Sequence, residues 1–157
     1  MNNETDVFYD VVMIKNIKTK EEAISYLANH LHEKGYVNEN YGLATIEREL
    51  TYPTALPTKP IGIAVPHSVA ENVIKQAVVL GITDNFVEFN EMGNEDSKVN
   101  VGIIFLLALK GENNHLNYLR NIVNYCKVEA NVTRLYEAKS VDEANKIFKC
   151  EILNTEK

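Results

Sequence analysis

Residues 99–109 read VNVGIIFLLAL, and the stretch from Val101 to Leu109 carries no charged side chain. A run of that length without alternation suits a strand buried on both of its faces, at the centre of a sheet. It falls far short of the ~20 apolar residues that a membrane-spanning helix needs. A doubly covered strand demands helices above and below it, and the rest of the chain supplies them.

Thr19 opens TKEEAISYLANHLHEKG, with Glu22 at capping-box spacing and Gly35 suited to the left-handed residue that ends a helix. Ile24, Leu27, Ala28 and Leu31 make its apolar stripe. A second helix is expected from Glu39 to Leu50, with Leu43, Ile46 and Leu50 facing inward. TYPTALPTKP then holds three of the four prolines and reads as a fixed loop leading into a strand from Ile61 to Val65. Beyond it the pattern predicts a short helical stretch from Val69 to Ile74, a strand from Ala77 to Thr83 and a short third strand at NFVEF. NEMGNEDSK reads as a polar loop. Helices are expected from Asn114 to Lys127, near Ala130 to Glu137 and from Val141 to Glu151, the last with Ser140 and Glu143 again at capping-box spacing. The fold class is α/β: a single domain over residues 1–157, its mixed, mostly parallel sheet flanked by helices on both faces.

Several chemistries lack their signatures. A formal net charge of −6 argues against nucleic acid or an anionic membrane surface as partner. Cys126 and Cys150 form no C-x-x-C pair, and reduced thiols in a cytoplasmic protein are expected. The N-terminal MNNETDVFYD lacks the basic start and apolar stretch of a secretory signal. Phosphate cradles of the glycine-rich kinds and a G-x-S-x-G elbow are absent, so no nucleotide or other cofactor is expected. His115 and Cys126 share a helical face, but eleven residues of helix separate them by about 16 Å, too far for one metal ion.

What remains is histidine. His30 and His32 point about 160° apart on their helix, and surface or boundary roles suit both. His67 stands just past the IGIAVP strand, where ligands of α/β folds collect. His115 lies in the expected first turn of a helix, where positive terminal potential favours a neutral ring and a nearby anion. A half-buried packing role for His115 stays open beside that reading. Only Arg48, Arg120 and Arg134 could offer a guanidinium, and Arg48 precedes the loop that delivers the chain to His67.

REL at 48–50, IGIAVPH at 61–67, VNVGIIFLLAL at 99–109 and NHLNYLRNI at 114–122 together resemble a IIA component of the bacterial sugar phosphotransferase system, of the fructose/mannitol-type family. The resemblance covers about Thr19 to Phe148. Where fructose- and mannitol-type members carry a glycine-rich run, this chain has YPTALPTKPIG, which looks more like the galactitol-type branch. The resemblance implies a phosphotransferase component. His67 would be the phosphoryl acceptor, with Arg48 and His115 as the other active-site residues. HPr would be the donor and a IIB cysteine the receiver, acting with a membrane IIC component and without membrane insertion of its own. A regulatory module of the same family, phosphorylated on the same histidine, and a non-catalytic binding domain are the alternatives.

Overall fold

The computed structural model describes residues 7–153. The polar start read above as no secretory signal falls largely on residues 1–6, outside the described residues. Five strands make the sheet: β1 (Phe8–Ile14), β2 (Ala55–Leu56), β3 (Gly62–Ala64), β4 (Ala77–Glu91) and β5 (Asn94–Ala108). Five α-helices cover it: α1 (Lys20–Glu33), α2 (Tyr41–Thr51), α3 (Glu112–Cys126), α4 (Glu129–Tyr136) and α5 (Val141–Ile147).

The sheet grows on the antiparallel β4–β5 hairpin. β1 adds in parallel to the first half of β4, from Phe8↔Ala77 to Ile14↔Thr83. β3 adds in parallel to β5, and β2 runs antiparallel to β3 and returns to meet β4 at Ala55↔Glu91. Parallel pairings thus outnumber antiparallel ones, although the longest ladder is the antiparallel one. Helices α1 and α2 cover one face, over Ala64, Val79, Ile104 and Leu106. Helices α3, α4 and α5 cover the other, over Ile63, Leu80, Phe105 and Leu107. The strand nominated by VNVGIIFLLAL is therefore central and doubly covered, and each fully buried Leu, Ile or Phe along it contributes ~1.5–3 kcal/mol. Its alternation slips at Gly102, where the β3 register jumps from Gly62↔Val101 to Ile63↔Ile103. A side chain at Gly102 would collide with Ile61 and the Tyr136 ring, so glycine is what lets both pack against the strand at this irregularity.

Thr19 caps α1 as expected: its hydroxyl accepts from Glu22 N and the Glu22 carboxylate accepts from Thr19 N. Ser140 accepts from Glu143 N at the start of α5. Other expectations are corrected. Strand β1 has no counterpart in the sequence reading. NEMGNEDSK is not a loop but the tip of a hairpin, with Met92 and Gly93 between Glu91↔Asn94 and Gly93 at φ 77°. Ala77–Thr83 and NFVEF are two parts of β4, separated by a break in its β5 register between Ile82 and Val87. The stretch after His67 is only a 3₁₀ turn, Ala70–Asn72, and α5 gives way to a π turn over Phe148–Ile152 rather than continuing.

Helix α2 departs most from its pattern. Tyr41, Thr45 and Glu49 face inward, while Leu43 and Leu50 are 65% and 55% exposed. Those polar residues bring their own partners inside, which a reading of apolar periodicity cannot register. The Tyr41 hydroxyl donates to the Leu107 carbonyl (2.8 Å), and Thr45 Oγ1 donates to Tyr41 O (2.7 Å).

Candidate active site

The β3 ladder stops because Pro66 has no N–H to extend it. Its carbonyl accepts from Leu107 N (3.0 Å), and His67 forms an isolated parallel bridge opposite Leu107. The same Leu107 carbonyl holds Tyr41, so α2 is fixed beside the strand end and carries Arg48 across to the histidine.

The His67 ring is held through both nitrogens. Nδ1 lies 3.0 Å from the Val65 carbonyl, and Nε2 lies 3.1 Å from Arg48 Nε. A carbonyl only accepts and a guanidinium N–H only donates. Nδ1 therefore carries the hydrogen, and Nε2 presents its lone pair. Burial, with the charge of Arg48 and the proximity of His115 adding to it and the Val65 bond opposing, lowers the His67 pKa to about 4. The ring is neutral at physiological pH, the form in which an imidazole nitrogen keeps a lone pair free to attack.

His115 arrives from the other face of the sheet's end. Gly111, at φ 89°, turns the chain into α3, which begins two residues before the expected start. His115 is thus the fourth helical residue, and its N–H already bonds Gly111 O (3.2 Å). Gln76 Oε1 ties this turn down, accepting from Lys110 N (2.8 Å) and Asn114 Nδ2 (2.7 Å). The His115 ring stands 4.2 Å from the His67 ring, centroid to centroid, at a 50° tilt. Burial and Arg48 lower its pKa as well. The two rings and Arg48 line a cleft of about 480 Å³ with Val69, Leu109 and Leu116. Val69 and Leu116 lie half exposed at its mouth.

All three nominated residues, from α2, the end of β3 and α3, thus meet at one point. His30 is elsewhere, bonded to Asp10 Oδ2 through Nε2 (2.6 Å). The sequence reading missed the residues beneath the site: Tyr41, Gln76, Glu49 and Thr54. Glu49 and Thr54 stand inside the REL and YPTALPTKPIG stretches without a role of their own there, no motif holds Tyr41 or Gln76, and only polarity at buried positions could have drawn attention to the four.

A cleft with a neutral, tautomerically fixed imidazole beside a guanidinium and a second imidazole can receive an anionic group next to a nitrogen lone pair. Residues 8–150 match the family described as "Phosphoenolpyruvate-dependent sugar phosphotransferase system, EIIA 2", and the chain belongs to that family. It is 34% identical over 143 residues to the mannitol-specific phosphotransferase enzyme IIA component of Bacillus subtilis (strain 168), covering 88% of this chain and 92% of that one. It is 28% identical over 101 residues to the galactitol-specific EIIA component of Escherichia coli (strain K12), covering 64% of this chain and 67% of the relative. Against the longer mannitol-specific EIICBA component of Escherichia coli (strain K12) it spans only 20% of the relative's length. The fold superposes on enzyme IIA in the Escherichia coli complex of mannitol enzymes IIA and phosphorylated IIB, with a TM-score of 0.72, 28% identity and coverage of 92% of this chain and 94% of that one. Galactitol is therefore one substrate among those of the relatives, and the mannitol relatives match at higher identity over more of the chain.

Proposed function

We propose that this chain is a phosphocarrier for sugar-alcohol uptake, accepting a phosphoryl group on His67 Nε2 from the phosphohistidine of HPr and passing it to a cysteine of a IIB component. The observation that carries the reading is the fixed tautomer: Val65 holds the hydrogen on Nδ1, and the Nε2 lone pair points toward Arg48 and the cleft. In the first transfer the donor's P–N bond breaks as the bond to Nε2 forms. In the second the P–N bond to His67 breaks as a IIB thiolate sulfur attacks phosphorus.

Phosphoryl transfer asks the protein for in-line placement and charge stabilisation. Arg48 would exchange its bond to Nε2 for bonds to the non-bridging oxygens, which its planar fork matches. His115 would donate one N–H to the same oxygens. Only a 3₁₀ turn follows His67, so the helix dipole at the cleft comes from the start of α3, and Arg48 supplies the full positive charge beside Nε2. The Val65 carbonyl keeps Nδ1 protonated after transfer, which makes the phosphorylated ring a good leaving group. The chain would act in the cytoplasm with a membrane IIC component; among the described residues no helix is long and apolar enough to cross a membrane. The unit of function would be one domain over residues 1–157.

Incubation with labelled phosphoenolpyruvate, Enzyme I and HPr tests the proposal. Label on His67 that chases onto a IIB protein is expected. Absence of label, or label that persists in His67→Ala, overturns it.

A further inference from the structure

Beneath Arg48, the next residue of α2 turns a carboxylate into the protein. Glu49 is 2% exposed, and both of its oxygens are engaged by one residue: Thr54 N donates to Oε2 (2.9 Å) and Thr54 Oγ1 donates to Oε1 (2.8 Å). Thr54 is itself buried, and its hydroxyl accepts from Val65 N (3.1 Å). Because that hydroxyl has a single hydrogen, already given to Glu49, the three groups form one directed relay: Val65 N–H to Thr54 Oγ1, and Thr54 O–H to Glu49. Val65 is the residue whose carbonyl holds His67 Nδ1. It lies one residue beyond the last β2–β3 pair, Ala55↔Ala64, so no backbone partner across that ladder fixes it.

We propose that Glu49 and Thr54 are positioning residues for the acceptor: through Val65 they keep His67 in its Nδ1–H tautomer with Nε2 turned to the cleft. The proposal rests on the reading of His67 as the phosphoryl acceptor. A buried carboxylate is costly unless its lone pairs are met, and burial does raise the Glu49 pKa, with the Thr54 bonds and the charges of Lys20 and Arg48 opposing. A packing role alone would be served by an apolar residue of similar volume. What a carboxylate adds is two acceptors side by side, matched to the two donors of Thr54. A glutamine has only one such acceptor, and its amide nitrogen would face a donor.

The test uses the whole chain and two readouts. Long-range ¹H–¹⁵N correlation of the imidazole at neutral pH reports the His67 tautomer in the unphosphorylated protein; quenched labelling from phospho-HPr reports acceptance. Thr54→Val keeps shape and removes the hydroxyl. We expect a populated Nε2–H form and acceptance slowed on the order of tenfold or more, as misplacement of a reacting group costs. Thr54→Ser should restore both, and Glu49→Gln should resemble Thr54→Val. Folded Thr54→Val or Glu49→Gln protein with a lower melting temperature but wild-type tautomer and labelling rate would overturn the proposal. A wild-type protein that never labels, with tautomers that shift as expected in the variants, would overturn the acceptor reading and leave the control of the His67 tautomer standing.

Discussion

Arg48 Nε donates into the lone pair of His67 Nε2 at 3.1 Å, so the guanidinium occupies the spot where a phosphorus atom would arrive. The opposite nitrogen is blocked by its hydrogen bond to Val65 O. Phosphorylation is therefore expected at Nε2 alone. Phosphorus–nitrogen coupling in the ¹⁵N spectrum of the labelled ring checks this, and coupling to Nδ1 would show that the ring turns over before it reacts.

Arg48→Lys keeps the charge but loses the planar fork, and Arg48 also stacks over the Tyr52 ring at 5.2 Å. The acceptance rate should fall on the order of tenfold or more, which corresponds to ~1.4 kcal/mol of transition-state contact. Stability should change little, because the side chain lies at the cleft wall rather than in the core. Wild-type rates in both Arg48→Lys and Arg48→Ala would make the arginine a bystander.

His115→Ala should still label on His67 but exchange phosphate slowly with HPr, with IIB or with both, since a donor to the charged oxygens is gone. The packing alternative gives the reverse pattern: a lower melting temperature and unchanged transfer. Rapid-quench transfer and thermal melts on the same preparation separate the two.

Acid should destabilise the protein through His67. Its folded pKa, about 4, lies below the unfolded value of ~6.5, so between these pH values the unfolded chain binds more protons. The stability present above pH ~6.5 is thus lost as pH falls toward 4. His115, shifted in the same direction, adds to the loss. Urea titrations at pH 7 and pH 5 should differ by ~1–2 kcal/mol more in wild type than in His67→Asn. Equal pH dependence in the two proteins would show that His67 ionises freely in the fold.

The sequence made the scaffold of the site readable wherever one rule acted alone. The caps of α1 and α5, the doubly buried β5 and the strand end at Pro66 each follow from local chemistry. The rest depended on partners distant in sequence. Strand β1 exists because β4 offers it a parallel edge, and its own burial pattern is too mixed to announce it. The polar NEMGNEDSK is extended because a two-residue turn aligns two strands whose outer parts lie near solvent. Helix α2 turned its apolar Leu43 and Leu50 outward because Tyr41, Thr45 and Glu49 find hydrogen-bond partners inside. His115 was placed correctly in a helix, but only three-dimensional packing shows that α3 begins beside the end of β3.

The β4–β5 hairpin also implies an order of events in time. Its pairs are close in sequence near the Met92–Gly93 turn, so closing it costs little chain entropy and it can form first. Arg48, His67 and His115 sit on α2, the end of β3 and α3, none of which belongs to that hairpin. Pulse-labelled hydrogen exchange during refolding is expected to protect the hairpin-paired amides near the turn, in β4 and β5, before those of α2 and α3, and simultaneous protection would remove this ordering. A chain that has folded only its hairpin then has no assembled acceptor. Competence to take a phosphoryl group would emerge only after the hairpin has formed, so molecules stopped at that stage would not drain the phosphate relay.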